Sequence, residues 1–362
     1  MDIGLHNLED FIRGTTILGT GGGGDPYVGK LMLLEALKQG HKIRLIDPDD
    51  LPNDARVINV LSMGAPTVIN EKLPSGPATI AAVRAAEREL GYKFDAVMPI
   101  EAGGVNSTVP LLVGALMDLP VVDADGMGRA YPEVQMTTYN VAGKSGNPHV
   151  LADDKKSIVV TNTDDNHEAE WLCRAVCVRM GGIAQMACHP LTGREIKDHA
   201  VLRTVSLSIE IGSTIRKARS ANQDVFAALL DFFRARGRHA RQLFEGKIVD
   251  LLRETREGFS IGRVVLQGIG DSKGELKIVF QNEFLLAEHD GRPVAMVPDL
   301  ITVLDQETVE PITTEHLRFG QRVRVVGVGV PEIMRSERAL QIFGPPGFRL
   351  DVAYRRIEEL AA

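Results

Sequence analysis

The sequence predicts an α/β protein: an N-terminal domain built on a mainly parallel sheet, and a smaller C-terminal antiparallel, barrel-like β domain. Two observations carry this. Over the first half, short apolar runs alternate with segments of helical period, the pattern of strands joined by crossover helices. From about Gly246 the texture changes to alternating strand-like runs broken by Gly, Asp and Pro. A chain of 362 residues, 44% hydrophobic, can bury the cores of both.

In order, KIRLID (42–47), RVINVLSM (56–63), AVMPIE (96–101) and LPVVDAD (119–125) are the expected strands of the first sheet. PATIAAVRAAERELG (77–91) and STVPLLVGALMDL (107–119) are the expected helices between them, the first stopping at Gly91. VQMTTYNVAG and SIVVTN read as further strands. DDNHEAEWLCRAVCVRMGG reads as a capped helix ending at Gly181, GIAQMAC as another strand, and 194–236 as mostly helical. HDGRP (289–293) signals a hairpin. The expected layout is an α/β domain over 1–240, a β domain over 241–330, and a tail over 331–362 that packs back on the first domain.

Composition narrows the function. A net charge of -7 without any block of Lys or Arg argues against nucleic acid or an anionic membrane as partner. The start lacks a basic segment followed by an apolar core, and no long uninterrupted apolar run occurs, so a cytoplasmic protein is expected. A homo-oligomer is expected on general grounds. Cys173, Cys177 and Cys188 do not make a disulfide framework. Cys188, beside His189, is a weaker nucleophile candidate, since neighbours on a strand point to opposite faces.

In a parallel sheet, ligands gather beyond the carboxyl ends of the strands. Five polar loops would share that rim: SMGAP, EAGGVNS, DADGMGRAYPE, TNTDDNHE and CHPLTG. Glu101 ends an apolar strand; Gly103 and Gly104 let backbone approach a ligand, and Asn106 stands at the cap of the next helix. Asp123, Asp125, Arg129 and Glu133 crowd into one segment, where paired carboxylates beside an arginine can supply a base and an acid. Asn282 and Glu283 interrupt an apolar run, as at a bulge or at a site between domains. Metal signatures are weak; Asp123, Asp125, His167 and His189 are the candidate ligands for a divalent ion such as zinc.

Residues 19–24, GTGGGG, satisfy G-x-G-x-x-G with Asp47 beyond, which raises a nicotinamide-dependent oxidoreductase as an alternative. The preceding LHNLEDFIRGTTIL begins with helical spacing, whereas that fingerprint requires a strand. A loop whose amides, from Gly21, Gly22, Gly23 and Gly24, face a small molecule suits the context better.

GTGGGGDP, EAGGVNSTVP, DADGMGRAYPE, QNEFLLAEHDG, VPDLITVLD, FGQRVRVVG and FGPPGFRLD, in this order, resemble the S-methyl thiohydantoin desulfurase-like family over nearly the whole chain. The resemblance implies an α/β domain of family-specific topology followed by a β-barrel-like domain. It also implies hydrolysis of an S-methyl thiohydantoin to a hydantoin and methanethiol. On that reading Asp123 or Asp125 activates water, directly or through a bound metal. Glu101 donates the proton, while Arg129 and the glycine amides hold ring carbonyls. A non-catalytic hydantoin-binding partner of a hydantoinase or oxoprolinase system is the further alternative.

Overall fold

A computed structural model of the chain describes residues 1–64, 68, 72, 74–256 and 258–360. Ala65 and Pro66 of the expected SMGAP loop lie outside the described residues. The chain opens with strand β1 (Asp2–Ile3) and helix α1 (Leu8–Leu18). In α1, Leu8, Phe11, Thr15 and Leu18 recur at helical spacing and are buried, while Glu9 and Asp10 sit in the first turn, where a negative charge suits the helix dipole. The glycine loop follows, and then helix α2 (Pro26–Lys38), whose entry is fixed by Pro26 and by Asp25 accepting from the Tyr27 N–H at 2.8 Å.

Strands β2 (Ile43–Ile46), β3 (Arg56–Gly64), β4 (Ala96–Pro99) and β5 (Val121–Val122) match the expected runs, with α3 (Gly76–Leu90) and α4 (Gly104–Met117) as crossovers. Helix α3 is capped by Ser75 and stops at Gly91, which takes the left-handed φ of 74°. These four strands are parallel, in the order β2-β5-β4-β3, so their carboxyl ends form one rim.

Beyond them come β6 (Ala124–Asp125), α5 (Thr138–Val141), β7 (His149–Ala152), β8 (Ile158–Thr161), α6 (Asn166–Arg179) and β9 (Ile183–Thr192). β9 pairs antiparallel with β3, and β7 and β8 extend that side, while β1 closes the other edge of the eight-stranded sheet. Two expectations change here. TNTDDNHE leaves β8, and CHPLTG forms the end of β9 and the turn after it; both strands run against β3, so these loops lie at the opposite rim from Glu101. VQMTTYNVAG is a loop and a single helical turn, because Thr137 caps the Asn140 N–H and the Asn140 amide bonds the Gln135 carbonyl, satisfying backbone groups locally.

Helices α7 (Gly193–His199), α8 (Thr204–Ser220) and α9 (Val225–Arg234) follow, with a short strand β10 (Val201–Leu202) pairing β6. The antiparallel sheet starts at β11 (Ala240–Arg256) and continues through β12 (Phe259–Gly268), β13 (Glu275–Gln281), β14 (Glu283–His289), β15 (Arg292–Met296), β16 (Leu300–Asp305) and β17 (Arg322–Val328). It curls into a half-barrel in the order β15-β14-β13-β12-β11-β17-β16, with the β14–β15 hairpin turning at Asp290-Gly291 as the sequence indicates. Helix α10 (Glu337–Phe343) then brings Phe343 against Tyr131, ring centroids 5.2 Å apart.

The seam between the sheets runs along the glycine loop. The Phe284 N–H donates to the Thr20 carbonyl at 2.8 Å, the Thr314 N–H to Gly21 at 2.8 Å, and the Thr302 hydroxyl to Ile17 at 3.0 Å. Through these bonds strands of the half-barrel are fixed against the rim of the parallel strands.

Candidate active site

The glycine loop leaves the C-terminal end of helix α1, not a strand. The dinucleotide arrangement, in which glycines connect a buried strand to a helix, is therefore not built here. Asp47 is engaged elsewhere, accepting from Arg203 at 2.9 and 3.0 Å. The loop's glycines serve close approach. A Cβ on Gly22 would stand 2.0 Å from Glu283 Oε1, and one on Gly104 2.4 Å from the carbonyl carbon of Gly23.

Gly103 caps helix α4 and Gly104 opens it, so the helix starts three residues earlier than the sequence suggests. Asn106 and Ser107 consequently lie in its first turn rather than at the cap. The Val105 N–H donates to the Gly23 carbonyl at 2.8 Å, which ties the two glycine segments together instead of presenting that amide to a ligand. Asn106 bridges two strand ends: its Oδ1 accepts from the Ser62 N–H at 2.8 Å, and its Nδ2 donates to Glu101 Oε1 at 2.7 Å. Glu101 Oε2 accepts from the Tyr131 N–H at 3.0 Å.

Glu283 enters from the half-barrel. Asn282, at φ 57°, makes the tight turn between β13 and β14; its Oδ1 accepts from the Ser260 N–H at 2.8 Å and its own N–H donates to the Ser260 carbonyl at 2.7 Å. That turn aims Glu283 at the glycine loop, where Oε1 accepts from the Gly23 N–H at 3.1 Å. Its Oε2 is buried with no hydrogen-bond partner among the described residues, and the same holds for the Tyr131 hydroxyl.

Gly23, Gly24, Ser62, Glu101, Asn106, Tyr131, Glu133, Asn282 and Glu283 line one narrow cavity that opens to solvent, with about 30 Å3 of interior space, room for a water molecule or two. Of the sequence-derived candidates, this brings together Gly23, Gly24, Glu101, Asn106, Glu133, Asn282 and Glu283. Gly21, Gly22, Gly103 and Gly104 stand behind the wall as contacts between loops. Tyr131 and Arg174 are lining residues that the sequence reading did not single out. Tyr131 lay inside DADGMGRAYPE, and Arg174 follows Glu170 by one helical turn, a pairing legible as an i, i+4 ion pair, here 2.6 Å.

Three members of the DADGMGRAYPE cluster turn away. Asp123 Oδ1 accepts from the Val205 and Ser206 N–H groups at 2.9 and 3.0 Å, capping helix α8. Asp125 Oδ1 accepts from the Met127 and Gly128 N–H groups at 2.6 and 2.5 Å, closing the turn that follows β6. Arg129 is fully buried, and its guanidinium donates to the carbonyls of Ala130, Phe284, Pro298 and Asp299, at 3.1, 2.9, 3.4 and 3.0 Å. With those donors occupied by backbone oxygens, Arg129 is a strut across the seam, not a clamp on a ring carbonyl.

The carboxyl groups of the cavity share an unusual electrostatic state. Burial pushes Glu101 up to about 8; the bonds from Asn106 and Tyr131 pull it down, and the charge of Asp125 adds to the rise. Glu283 is held well above the usual carboxylate range, first by burial and then by the charge of Glu101. Both oxygens of Glu101 accept hydrogen bonds, which favours its ionised form, whereas Glu283 keeps a bare oxygen that can carry a proton. Glu133, at the cavity mouth, is raised by burial and by Glu170. Asp125 is pushed up to about 7 by burial.

The metal candidates do not assemble. His167 lies on an outer groove, and His189 is buried at the opposite rim against His149 and Tyr139. Asp123 and Asp125 are engaged as described, and no group of three or more His, Cys, Asp and Glu side chains converges among the described residues. Those four residues do not fit a single divalent ion. Cys188 is fully buried, with its thiol raised well above the usual value by burial, the reverse of what a thiolate nucleophile requires.

Fold and site define a two-part α/β and β protein with a buried carboxyl pair at the seam. The chain belongs to the S-Me-THD-like family: residues 6–163 match its N-terminal domain and residues 164–357 its C-terminal domain. The search of curated proteins returned no match. Among solved structures, the crystal structure of a structural-genomics protein from Chromobacterium violaceum is 24% identical, covers 99% of this chain and 100% of its own, and superposes with a TM-score of 0.82. That likeness shows the fold. Among the described residues, no helix is long and apolar enough to cross a membrane.

Proposed function

We propose that this protein is a hydrolase acting on a small thiohydantoin-type or cyclic imide ring, converting an S-methyl thiohydantoin to a hydantoin and methanethiol. The observation that carries the reading is the buried pair of Glu101 and Glu283 on one cavity, with Glu283 Oε2 unpartnered. Membership of the S-Me-THD-like family is consistent with a thiohydantoin-related role and supports this choice of substrate class.

In this mechanism ionised Glu101 takes a proton from water as the oxygen attacks the ring carbon bearing the S-methyl group. Protonated Glu283 supplies a proton to the ring nitrogen or the departing sulfur. The carbon–sulfur bond breaks as the new carbonyl forms, and the two protons of water end on the ring nitrogen and on methanethiol. The neutral Tyr131 hydroxyl, its pKa raised by burial, and the Gly24 N–H hold a ring carbonyl. Asn106 positions Glu101, and the Gly23 N–H positions Glu283. No step passes through a metal.

The test is a screen of purified protein against S-methyl thiohydantoins, hydantoins and cyclic imides, following methanethiol release and ring product. Turnover that disappears in Glu283→Gln supports the reading. Binding of hydantoins without any turnover favours a non-catalytic binding partner instead, and nicotinamide-dependent redox activity overturns the proposal.

A further inference from the structure

The outer edge of the large sheet carries a second unassigned feature. Strand β8, sequence IVVT, pairs with β7 on one side only and ends the sheet. Its residues are all β-branched, it contains no proline or bulge, and the backbone groups of its outer edge have no partner among the described residues. Such an edge is a template for another strand. Ile158 and Val160 are each 40% exposed.

Beside it, helix α6 shows solvent an apolar stripe of Trp171, Ala175 and Val178, at i, i+4 and i+7, with Trp171 69% and Val178 55% exposed. Ala175 and Val159 line one surface groove, so stripe and strand border each other. An exposed apolar patch beside an open edge marks an interaction surface.

The flanking charges specify the occupant. Lys155 and Lys156 precede the strand and Asp164 and Asp165 follow it; all four are exposed. A twofold axis perpendicular to the sheet keeps each side chain on its own face and pairs residues of like parity. Placed through Val160, the axis sets Val160 opposite its own copy and Val159 opposite Thr161, and brings the turn that carries Lys155 and Lys156 alongside the Asp164 and Asp165 that follow the strand in the other copy. A strand basic at one end and acidic at the other is self-complementary when paired antiparallel. We propose that a second copy of this chain docks here, joining β8 to β8 in one continuous sheet with the two α6 stripes packed across the axis.

The experiment uses the full chain in sedimentation velocity over a dilution series. Trp171 is the sole tryptophan, so its emission, blue-shifted in the dimer and red-shifted on dilution, reports the same equilibrium. Lys156→Glu or Asp164→Lys alone brings like charges alongside one another and weakens the dimer roughly tenfold or more; combining them restores it. Val160→Cys forms a disulfide between copies on mild oxidation, with little background because the native cysteines are buried. A monomer at the highest soluble concentration overturns the proposal. So does a dimer indifferent to the charge variants in which Cys at 160 does not cross-link.

Discussion

The carboxyl groups of this protein sort by what their oxygens touch. Asp123 and Asp125 are as acidic in sequence as Glu101 and Glu283, yet Oδ1 of each holds backbone N–H groups of a helix start or a turn, and neither lines the cavity, although Asp125 Oδ2, like Glu283 Oε2, is unpartnered among the described residues. Asp125→Asn keeps an acceptor for Met127 and Gly128, so it should retain most hydrolytic activity, whereas Glu283→Gln should lose roughly 10²–10⁴-fold in kcat. Comparing the two in one steady-state assay checks the division of roles. The raised Glu101 also links stability to pH. Its folded-state pKa, about 8, lies above the ordinary 4.5, so its contribution is fully present below about pH 4.5 and is lost as pH rises toward 8. A shift of that size is worth on the order of 5 kcal/mol. Glu101→Gln should therefore flatten the decline of thermal stability between those limits, which melting curves across the range will show.

At the level of elements, the glycine loop and the turn at Asn282 act together. Gly22 does not have a left-handed φ, so alanine costs the backbone little, yet its methyl group would displace Glu283. Gly22→Ala should leave the melting temperature within a few degrees and lower kcat as Glu283→Gln does, a split that calorimetry and kinetics can separate. The strands of the parallel block, helices α3 and α4, and the Asp-Gly hairpin were legible because period and turn chemistry report local conformation directly. Strand direction was not, since alternation reads the same both ways; TNTDDNHE and CHPLTG were assigned to the wrong rim for that reason. HVLA of β7 passed unnoticed because four residues carry too little pattern.

On the scale of the whole molecule, function depends on the seam. Glu101 comes from the parallel sheet and Glu283 from the half-barrel, and Arg129 binds carbonyl oxygens on both sides of the junction. Arg129→Met keeps bulk but leaves those buried carbonyls unpaired, which should cost about 3 kcal/mol or more in chemical denaturation. The segments that line the cavity were legible as unusual polar insertions in apolar runs. Which carboxylate faces the cavity was not, because side-chain direction is set by partners hundreds of residues apart in sequence, as with Gly23 and Glu283.

The most direct test of the carboxyl pair is the pH dependence of kcat/KM for methanethiol release from an S-methyl thiohydantoin. The pair predicts a rate that rises with pH through about 8 as Glu101 ionises, and a rise that is absent in Glu101→Gln. A profile unchanged by Glu101→Gln and Glu283→Gln would contradict it.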